Sequence, residues 1–281
     1  MTNAYATVDL LKSSGALNIT GTAIDTRLRL VVEGVSRQID SYCNRHFFEL
    51  SATRKFDSDG GQELLVPDLV SIDANGLKTD DDKDRTFETT WAATDYLEEP
   101  ANADPAGGHD LSRPLTRISV DADSGTKSAW PEGRQTVQIG GKWGFWRRLL
   151  TAVETLNEAL DATETGVDVS SRTDIEAGHT ILIGAEQMYV QSYSTNTLTV
   201  VRGANGTTAA THSTGAAISI YEYPSPVAEA TLLQSARLWK RKDSPLLGTE
   251  HSRRPDAPRV PGLDPDVTAL LSSYRRLGAA A

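Results

Sequence analysis

The chain has very little of what would direct it to a membrane, an export pathway or an oxidising compartment. Cysteine occurs once in 281 residues, at Cys43, which excludes an internal disulfide and fits a reducing compartment. No apolar run approaches membrane-spanning length, and the first residues lack a basic stretch followed by an apolar one. We therefore expect a soluble protein that has no classical export signal and no membrane partner.

Signatures of catalysis are missing as well. The five histidines are dispersed, and neither a Gly-x-Ser-x-Gly elbow nor a phosphate-binding Gly-x-x-x-x-Gly-Lys-Ser/Thr loop occurs. The acidic run 80–84 has carboxylates at alternate positions, as a calcium loop does, but such a loop then requires glycine and glutamate where Arg85 and Trp91 stand. Cys43 and His46 fall on the apolar face of a predicted helix, so we assign them to the core or its edge. We predict no catalytic residue, no cofactor and no metal.

Basic charge is scarce except near the C-terminus. The formal net charge is −10, and Lys+Arg minus Asp+Glu gives 17 − 27 = −10 for residues 1–165, 2 − 5 = −3 for 166–223 and 9 − 6 = +3 for 224–281. An acidic body argues against tight binding to nucleic acid, which needs clustered lysine and arginine. An apolar content of 38% is low for a compact protein, so part of the chain is expected to become buried only against a partner.

Two segments have the apolar spacing of long helices and are expected to pack on each other. Thr22 can cap the first, Thr22–Phe48, while Ser225 can cap the second, Pro226–Gly248. Pro226 suits the first helical position, where a missing N–H costs nothing. The residues predicted to form the contact between the two helices are Leu28, Val32, Val35, Ile39, Leu232, Ala236 and Trp239.

Between residues 52 and 144 the pattern changes to short strands separated by turns. Asp59-Gly60-Gly61 and Asn75-Gly76 are typical of hairpins, and the segment 147–160 that follows is expected to be helical or irregular. Residues 165–223 alternate polar and apolar residues in four strands, which predicts a small all-β module inserted before the second long helix.

The end of the chain has a different composition. Prolines are frequent between residues 243 and 262, as in an extended linker, and Asp264-Pro265 then begins a short amphipathic helix. A helix on such a tether is typical of a docking element. The alternative is that it folds back on its own domain.

These patterns together predict an α+β fold. Its core is a helical bundle, in which the long N-terminal helix packs on the 226–242 helix, accompanied by β-hairpins, an inserted all-β domain and an extended C-terminal arm. The predicted domains are residues 1–164 with 224–248, residues 165–223, and residues 249–281.

The order of these elements resembles the head-to-tail connector, or adaptor, proteins of long-tailed bacteriophages. The resemblance is carried by the N-terminal helices, the second ending in Asp-Ser-Tyr-Cys-Asn-Arg-His-Phe at 40–47, and by the turn at 59–61. It continues with Val-Gln-Ile-Gly-Gly-Lys-Trp-Gly-Phe at 137–145 and with the Pro226–Gly248 helix. It covers roughly residues 1–160 and 224–248.

The 165–223 block resembles a small β module that recurs in phage structural proteins. The matching stretches are Gly-His-Thr-Ile-Leu-Ile at 178–183, Glu-Gln-Met-Tyr-Val at 186–190 and Leu-Thr-Val-Val-Arg-Gly-Ala-Asn-Gly-Thr at 198–207. Arg202 and His212 are expected to support the structure of the module itself.

The adaptor resemblance implies a structural virion protein of the phage neck, not an enzyme, that is assembled in the host bacterial cytoplasm. Such subunits form a ring of twelve copies beneath the portal protein, extend the DNA channel and receive the next neck or tail-completion protein. Genomic DNA is expected to pass through an acidic or neutral channel without tight binding. The side chains expected to dock on the portal are Arg253, Arg254, Val267, Leu270, Leu271, Tyr274, Arg275, Arg276 and Leu277.

Two other functions fit the sequence. One is a different neck component, such as a stopper or a tail-completion protein. The other is a carbohydrate-binding protein that uses the β module, with a surface aromatic such as Tyr189 or Tyr193 or one of the five tryptophans in contact with sugar.

Overall fold

Two six-stranded antiparallel sheets, and not a helical bundle, make up most of the regular structure. The computed structural model describes residues 3–13, 17–107, 112–145, 147–241 and 262–276. Within these ranges the α-helices have 6, 19, 17 and 7 residues, whereas twelve strands form the two sheets. The predicted fold class, with a helical bundle as its core, is therefore wrong.

The chain divides into two units that also differ from the predicted domains. The unit that we call the sheet unit consists of residues 46–149 with 205–207. The unit that we call the mixed unit consists of residues 1–45, 150–204 and 208–281. The 165–223 block thus groups with the long helices instead of standing apart from them.

The sheet unit is built on one twisted antiparallel sheet. Its strands are β1 (Leu50–Ser58), β2 (Glu63–Thr79), β3 (Thr89–Thr90), β4 (Tyr96–Glu99), β5 (Leu115–Val120) and β6 (Gly133–Trp143), in the order β1-β6-β2-β5-β4, with β3 pairing with β2. Tryptophan fills much of its core: Trp143 is fully buried, and the rings of Trp91 and Trp130 stack with their centroids 4.2 Å apart.

Neither of the two hairpins predicted in this region forms. Asp59-Gly60-Gly61 does connect β1 to β2, but the two strands do not form a hairpin, because β6 pairs with each of them and lies between them. Asn75-Gly76 lies inside β2, where the register against β6 shifts between Ile72 and Leu77. Asn75 has a φ of 58°, and a Cβ on Gly76 would lie 2.3 Å from the carbonyl oxygen of Gly140. The residues of a tight turn therefore form a bulge in a long strand.

The mixed unit combines the second sheet with the helices. Its elements are α1 (Val8–Ser13), α2 (Asp25–Cys43), β7 (Arg148–Thr155), β8 (Gly166–Asp168), β9 (Thr180–Ile183), β10 (Glu186–Ser194), β11 (Thr197–Val201), β12 (Ala217–Glu222), α3 (Ser225–Arg241) and α4 (Pro265–Leu271). The sheet order is β7-β12-β9-β10-β11-β8. The four strands predicted between residues 179 and 221 are confirmed as β9 to β12.

The segment predicted to be helical or irregular before this block is largely a strand. Residues 148–155 form the edge strand β7 beside β12. Leu156 and Leu160 then turn inward, form isolated bridges with Val169 and His212, and are buried in the core of the sheet. The leucine spacing of this segment also suits a helix. The segment forms a strand because β12 provides partners for its backbone hydrogen bonds.

The β-strand alternation of β10 gives this sheet two apolar faces. Met188 and Val190 join the core formed among the strands, whereas Tyr189, between them, is fully buried in a second cluster with α1, α2 and α3. The Tyr189 hydroxyl donates a hydrogen bond of 2.8 Å to Glu33 on α2. One strand therefore contributes to both cores of the unit.

The two long helices lie together over this face. Leu28, Val32, Leu232, Ala236 and Trp239 belong to the same apolar cluster, and Val35 and Ile39 are buried as well. The first helix ends earlier than its apolar pattern predicts, because Asn44 adopts a left-handed conformation with a φ of 53° and its N–H bonds to the carbonyl of Asp40. The pairing of the helices is one layer of a mixed unit and not a core by itself.

We predict that Leu28→Ala lowers the free energy of unfolding by about 2 to 5 kcal/mol, because Leu28 is fully buried beneath α3 and the sheet. Leu30→Ala is the matched control, since Leu30 lies on the same helix with 58% of its surface exposed and should change stability by less than about 0.5 kcal/mol. Urea denaturation of both variants measures the difference. Equal losses would contradict the burial of this face of α2.

Candidate functional site

The C-terminal helix, which is predicted to dock on a portal, packs against its own mixed unit. Asp264 caps α4 by accepting a hydrogen bond of 3.1 Å from the N–H of Asp266, and Val267 and Leu271 are fully buried. This agrees with the alternative in which the helix folds back on its own domain. The helix is held by apolar packing and by polar contacts at both of its ends.

Polar contacts from the long helices position the start of α4. The Gln234 side chain donates to the carbonyl of Gly262 at 3.0 Å and accepts from the N–H of Asp264 at 3.1 Å. Gln38 donates to the same carbonyl at 3.0 Å, and Arg237 lies 3.2 Å from the Asp264 carboxylate. Because side chains from both α2 and α3 converge on Gly262 and Asp264, the start of α4 has a defined position.

The end of the segment returns to α2. The N–H of Arg276 donates to the carbonyl of Cys43 at 2.8 Å, and the Arg275 guanidinium lies 5.6 Å from the ring centroid of Tyr42. The Cys43 side chain is fully buried, and burial raises the pKa of its thiol to about 11. Cys43 is therefore a packing residue and a poor nucleophile at neutral pH.

The predicted docking residues consequently fall into three groups. Val267 and Leu271 face the interior of their own unit. Leu270, Tyr274 and Arg276 are half-buried, and Arg275 is exposed. Arg253, Arg254 and Leu277 lie outside the described residues.

The β module contains a buried ion pair that sequence reasoning found only in part. The sequence predicts that Arg202 and His212 support the structure of the module, and both contact the carboxylate of Glu186. Glu186 is not predicted from the sequence as their partner. The Arg202 guanidinium meets Glu186 at 2.7 and 2.9 Å, and Nε2 of His212 lies 2.9 Å from the same group. The available signal is a glutamate two residues before the apolar run Met188–Val190, because such a glutamate requires a partner if it is buried.

Every hydrogen-bond donor of this arginine is used. Its remaining contacts are with the carbonyls of Asp161, Glu164 and Ala210, each at 2.7 Å. The Glu186 carboxylate also accepts the N–H groups of Gly203 and Ala210, both at 3.0 Å. A network so completely paired joins three loops of the module and leaves the guanidinium no donor for a substrate.

The pKa of Glu186 follows from these contacts. Burial alone would raise it, but the hydrogen bonds from Arg202, His212 and two backbone amides outweigh burial and hold the pKa at about 2. The carboxylate therefore stays ionised in the folded protein well below the pH at which it is protonated in the unfolded chain.

The acidic loop after β2 is the candidate cation-binding cluster among the described residues. One oxygen each from Asp80, Asp82, Asp84 and Glu88 lies within 4.8 Å of the others, and oxygen ligands suit hard divalent cations. The Asp80 carboxylate already accepts the N–H groups of Asp84 and Arg85, at 3.1 and 2.9 Å. These amides account for the convergence of the loop, and the absence of a metal stays a prediction.

The aromatic residues named for sugar binding are engaged in packing. Trp91, Trp130, Trp143 and Trp239 are buried, and Trp146 lies outside the described residues. Tyr189 is fully buried. The Tyr193 hydroxyl donates to Asp9 at 2.6 Å, and the Arg172 guanidinium lies 3.6 Å from its ring centroid. The observed contacts therefore do not favour the carbohydrate alternative.

We predict that Arg202→Lys lowers the free energy of unfolding by about 3 kcal/mol, because lysine cannot make the two-pronged contact with the buried Glu186 carboxylate and cannot bind all three backbone carbonyls at once. Arg172→Lys serves as the control in the same module: Arg172 contacts the carbonyls of Thr195 and Ile175 and the Tyr193 ring, so its loss should be nearer 1 kcal/mol. Chemical denaturation at neutral pH compares the two. A smaller loss for Arg202→Lys than for the control would show that the network does not stabilise the module.

The Glu186 carboxylate also predicts a pH dependence. Its pKa is lowered from 4.5 to about 2 on folding, so its contribution to stability is complete above the unfolded value and is lost as the pH falls from there toward 2. The stability gap between the wild type and Glu186→Gln should therefore be largest near neutral pH and should narrow below about pH 4.5. Urea denaturation at several pH values measures the gap; a constant gap between pH 6 and pH 3 would refute the assignment.

None of the helices in the described ranges is both long and apolar enough to cross a membrane. Comparison with known proteins identifies no relative, since no protein-family model, no curated protein and no solved structure matches the chain. The phage adaptor resemblance, which the sequence motifs carry, stays a prediction.

Proposed function

We propose that this chain is a structural virion protein of a long-tailed bacteriophage. In this proposal it assembles as a ring, of twelve copies as in the adaptor proteins it resembles, beneath the portal. The ring extends the DNA channel and joins the capsid to the neck and tail. The proposal includes no catalytic role, and it starts from the motifs at residues 40–47, 137–145 and 226–248.

The structural observation that carries the proposal is that both units present leucines to solvent. In the sheet unit, Leu65 is 71% exposed and Leu97 is 49% exposed. In the mixed unit, Leu10, Leu30 and Leu150 are each exposed by nearly half or more. A ring of head-to-tail copies needs two different complementary surfaces on each subunit, and apolar side chains left on both units supply material for them.

The outer face of the first sheet shows how such a surface is arranged. Leu65 lies opposite Arg117 across β2 and β5, and Leu97 lies opposite Ser119 across β5 and β4, so all four side chains share one face. Arg117 pairs with Glu99 and lies 3.1 Å from Glu63. Leucines that flank a central ion pair match the mixture of apolar and charged groups found in subunit interfaces.

A fold built mainly of β-sheets is compatible with the proposed ring. Subunit contacts depend on the chemistry of surfaces, and one function occurs on different folds. The proposed ring therefore does not require a helical-bundle core.

The proposed partners follow from the surface charge. The sheet unit has 12 Lys and Arg against 19 Asp and Glu, a net charge of −7, so it contributes most of the total of −10. Genomic DNA passes such a channel without tight, salt-sensitive binding. The portal meets the C-terminal segment through Leu270, Tyr274, Arg275 and Arg276, together with Arg253, Arg254 and Leu277, while Val267 and Leu271 hold the helix on its own body.

Imaging of particles tests the proposal. The purified chain should form rings, and a tag on the chain in intact virions should be detected directly beneath the portal. Phage that lack this protein should accumulate tailless heads, because the neck has no surface on which to assemble. A wild-type copy of the gene should restore tails. A tag farther along the neck would favour a stopper or tail-completion protein. Absence of the chain from virions would refute a structural role.

A further inference from the structure

The mixed unit contains a preformed pocket of about 330 Å³ beside the start of α3. Its walls include Tyr5 from the N-terminal segment, Tyr221 and Tyr223 from the end of β12 and the residues after it, and Ala228 from the first turns of α3. Leu10 and Leu150 also line it, each with 46% of its surface exposed. Apolar and aromatic walls with exposed leucines are suited to receiving an apolar side chain.

The charged residues that line this pocket are acidic. Asp174 and Glu222 are among its lining residues, which include no lysine and no arginine. His179 also lines the pocket; burial lowers its pKa to about 4, and its Nδ1 accepts the N–H of Glu176 at 3.1 Å, so the ring is neutral with its proton on Nε2. A binding partner should therefore combine an apolar side chain with a positive charge.

The other end of the same helix has this combination. Leu238 is 38% exposed, and Lys240 and Arg241 are exposed in the last turn. Arg241 lies three residues after Leu238, so the two side chains share one face of the helix. The neighbouring Trp239 is buried under the Arg27 guanidinium, which lies 5.5 Å from its ring centroid and helps to hold this end in place.

The positions of the two features exclude a contact within one copy. Ala228 and Leu238 are ten residues apart on the same helix, which separates them by about 15 Å along its axis. When each copy offers its helix end to one neighbour and its pocket to another, the contact is heterologous, and its repetition gives a closed ring or an open filament. A ring is the assembly that the proposed function requires.

We propose that successive copies of this chain bind head to tail, with Leu238 of one copy in the pocket beside the start of α3 in the next, with Arg241 facing Asp174 and Glu222, and with Lys240 adding positive charge in the same helical turn. The proposal rests on the ring of the proposed function and identifies its subunit contact. The occupant is a second copy because the acidic pocket and the basic helix end are complementary and lie at opposite ends of α3.

Charge reversal tests the contact in the full-length protein. The variant Lys240→Glu/Arg241→Glu and the variant Asp174→Lys/Glu222→Lys should each associate about tenfold more weakly than the wild type, because each brings like charges together. A 1:1 mixture of the two should assemble again, because every contact in an alternating ring then joins opposite charges. Sedimentation velocity at low salt measures all four samples. Unchanged assembly of both single variants, or failure of the mixture, would overturn the contact.

A matched control separates this contact from a general effect of charge. Lys83→Glu/Arg134→Glu makes the same change in net charge at exposed positions of the sheet unit. It should assemble as the wild type does. A loss as large as that of Lys240→Glu/Arg241→Glu would overturn the assignment, because the effect would not depend on the helix end.

Cysteine crosslinking tests the contact without requiring a ring. Cys43 is fully buried, so it gives little background. Under oxidation, a mixture of Leu238→Cys and Leu150→Cys chains of different tag length should form the mixed disulfide dimer. Leu238→Cys alone should not, because a head-to-tail contact does not bring two copies of Leu238 together. Absence of the mixed dimer, or efficient crosslinking of Leu238→Cys alone, would overturn the proposal.

The two proposals fail in distinguishable ways. If rings beneath the portal persist in both charge-reversal variants, the subunit contact is wrong and the proposed function stands. If the mixture assembles and the mixed disulfide forms but the chain is absent from virions, the contact stands and the proposed function is wrong.

Discussion

The mixed unit depends on one constraint, which is that two amphipathic helices must bury their apolar faces against something larger than each other. Two helices that meet along one stripe leave much of their apolar surface in water, and the outward face of β10 covers it. Tyr189 supplies the centre of that face, while Met188 and Val190, its neighbours in sequence, enter the opposite core. The strand alternation of a few residues therefore joins the helical layer to the sheet. This is why the β block forms one unit with the helices.

Buried polar groups add specificity to this packing. The hydroxyls of Tyr189 and Tyr193 reach Glu33 and Asp9 on the helices, so the aromatic contacts have a defined orientation. Inside the module, the pairing of Glu186 with Arg202 satisfies a charge that the apolar core alone would exclude. Titratable groups gathered in this way have the composition of an active site. Their complete pairing makes them structural.

The surface of the mixed unit differs from its interior in how polar and charged groups are paired. The Glu186 network and the two tyrosine hydroxyls are paired inside the mixed unit, whereas exposed leucines lie beside acidic residues at one place on its surface and beside basic residues at another. An acidic pocket with exposed leucines and a basic helix end with another leucine lie at the two ends of α3. A helix that is rigid and well packed can hold two such patches at a fixed distance. Each successive copy would then join the assembly with the same geometry. That regularity is what closure of a ring demands.

The sequence by itself determined the elements whose signals are local. Helical spacing and a proline near the first position located the start of α3 to within one residue, and alternation located the strands β9 to β12, because these patterns depend on neighbours in the chain. It also identified Arg202 and His212 as structural. Only the tertiary structure decided what each element packs against. Asn75-Gly76 forms a bulge because β6 continues alongside β2. Residues 148–155 form a strand because they pair with the edge of β12. The C-terminal helix α4 packs on α2 and α3. Each of these outcomes depends on a partner that is distant in sequence, and an apolar stripe or a turn residue does not specify which partner will cover it.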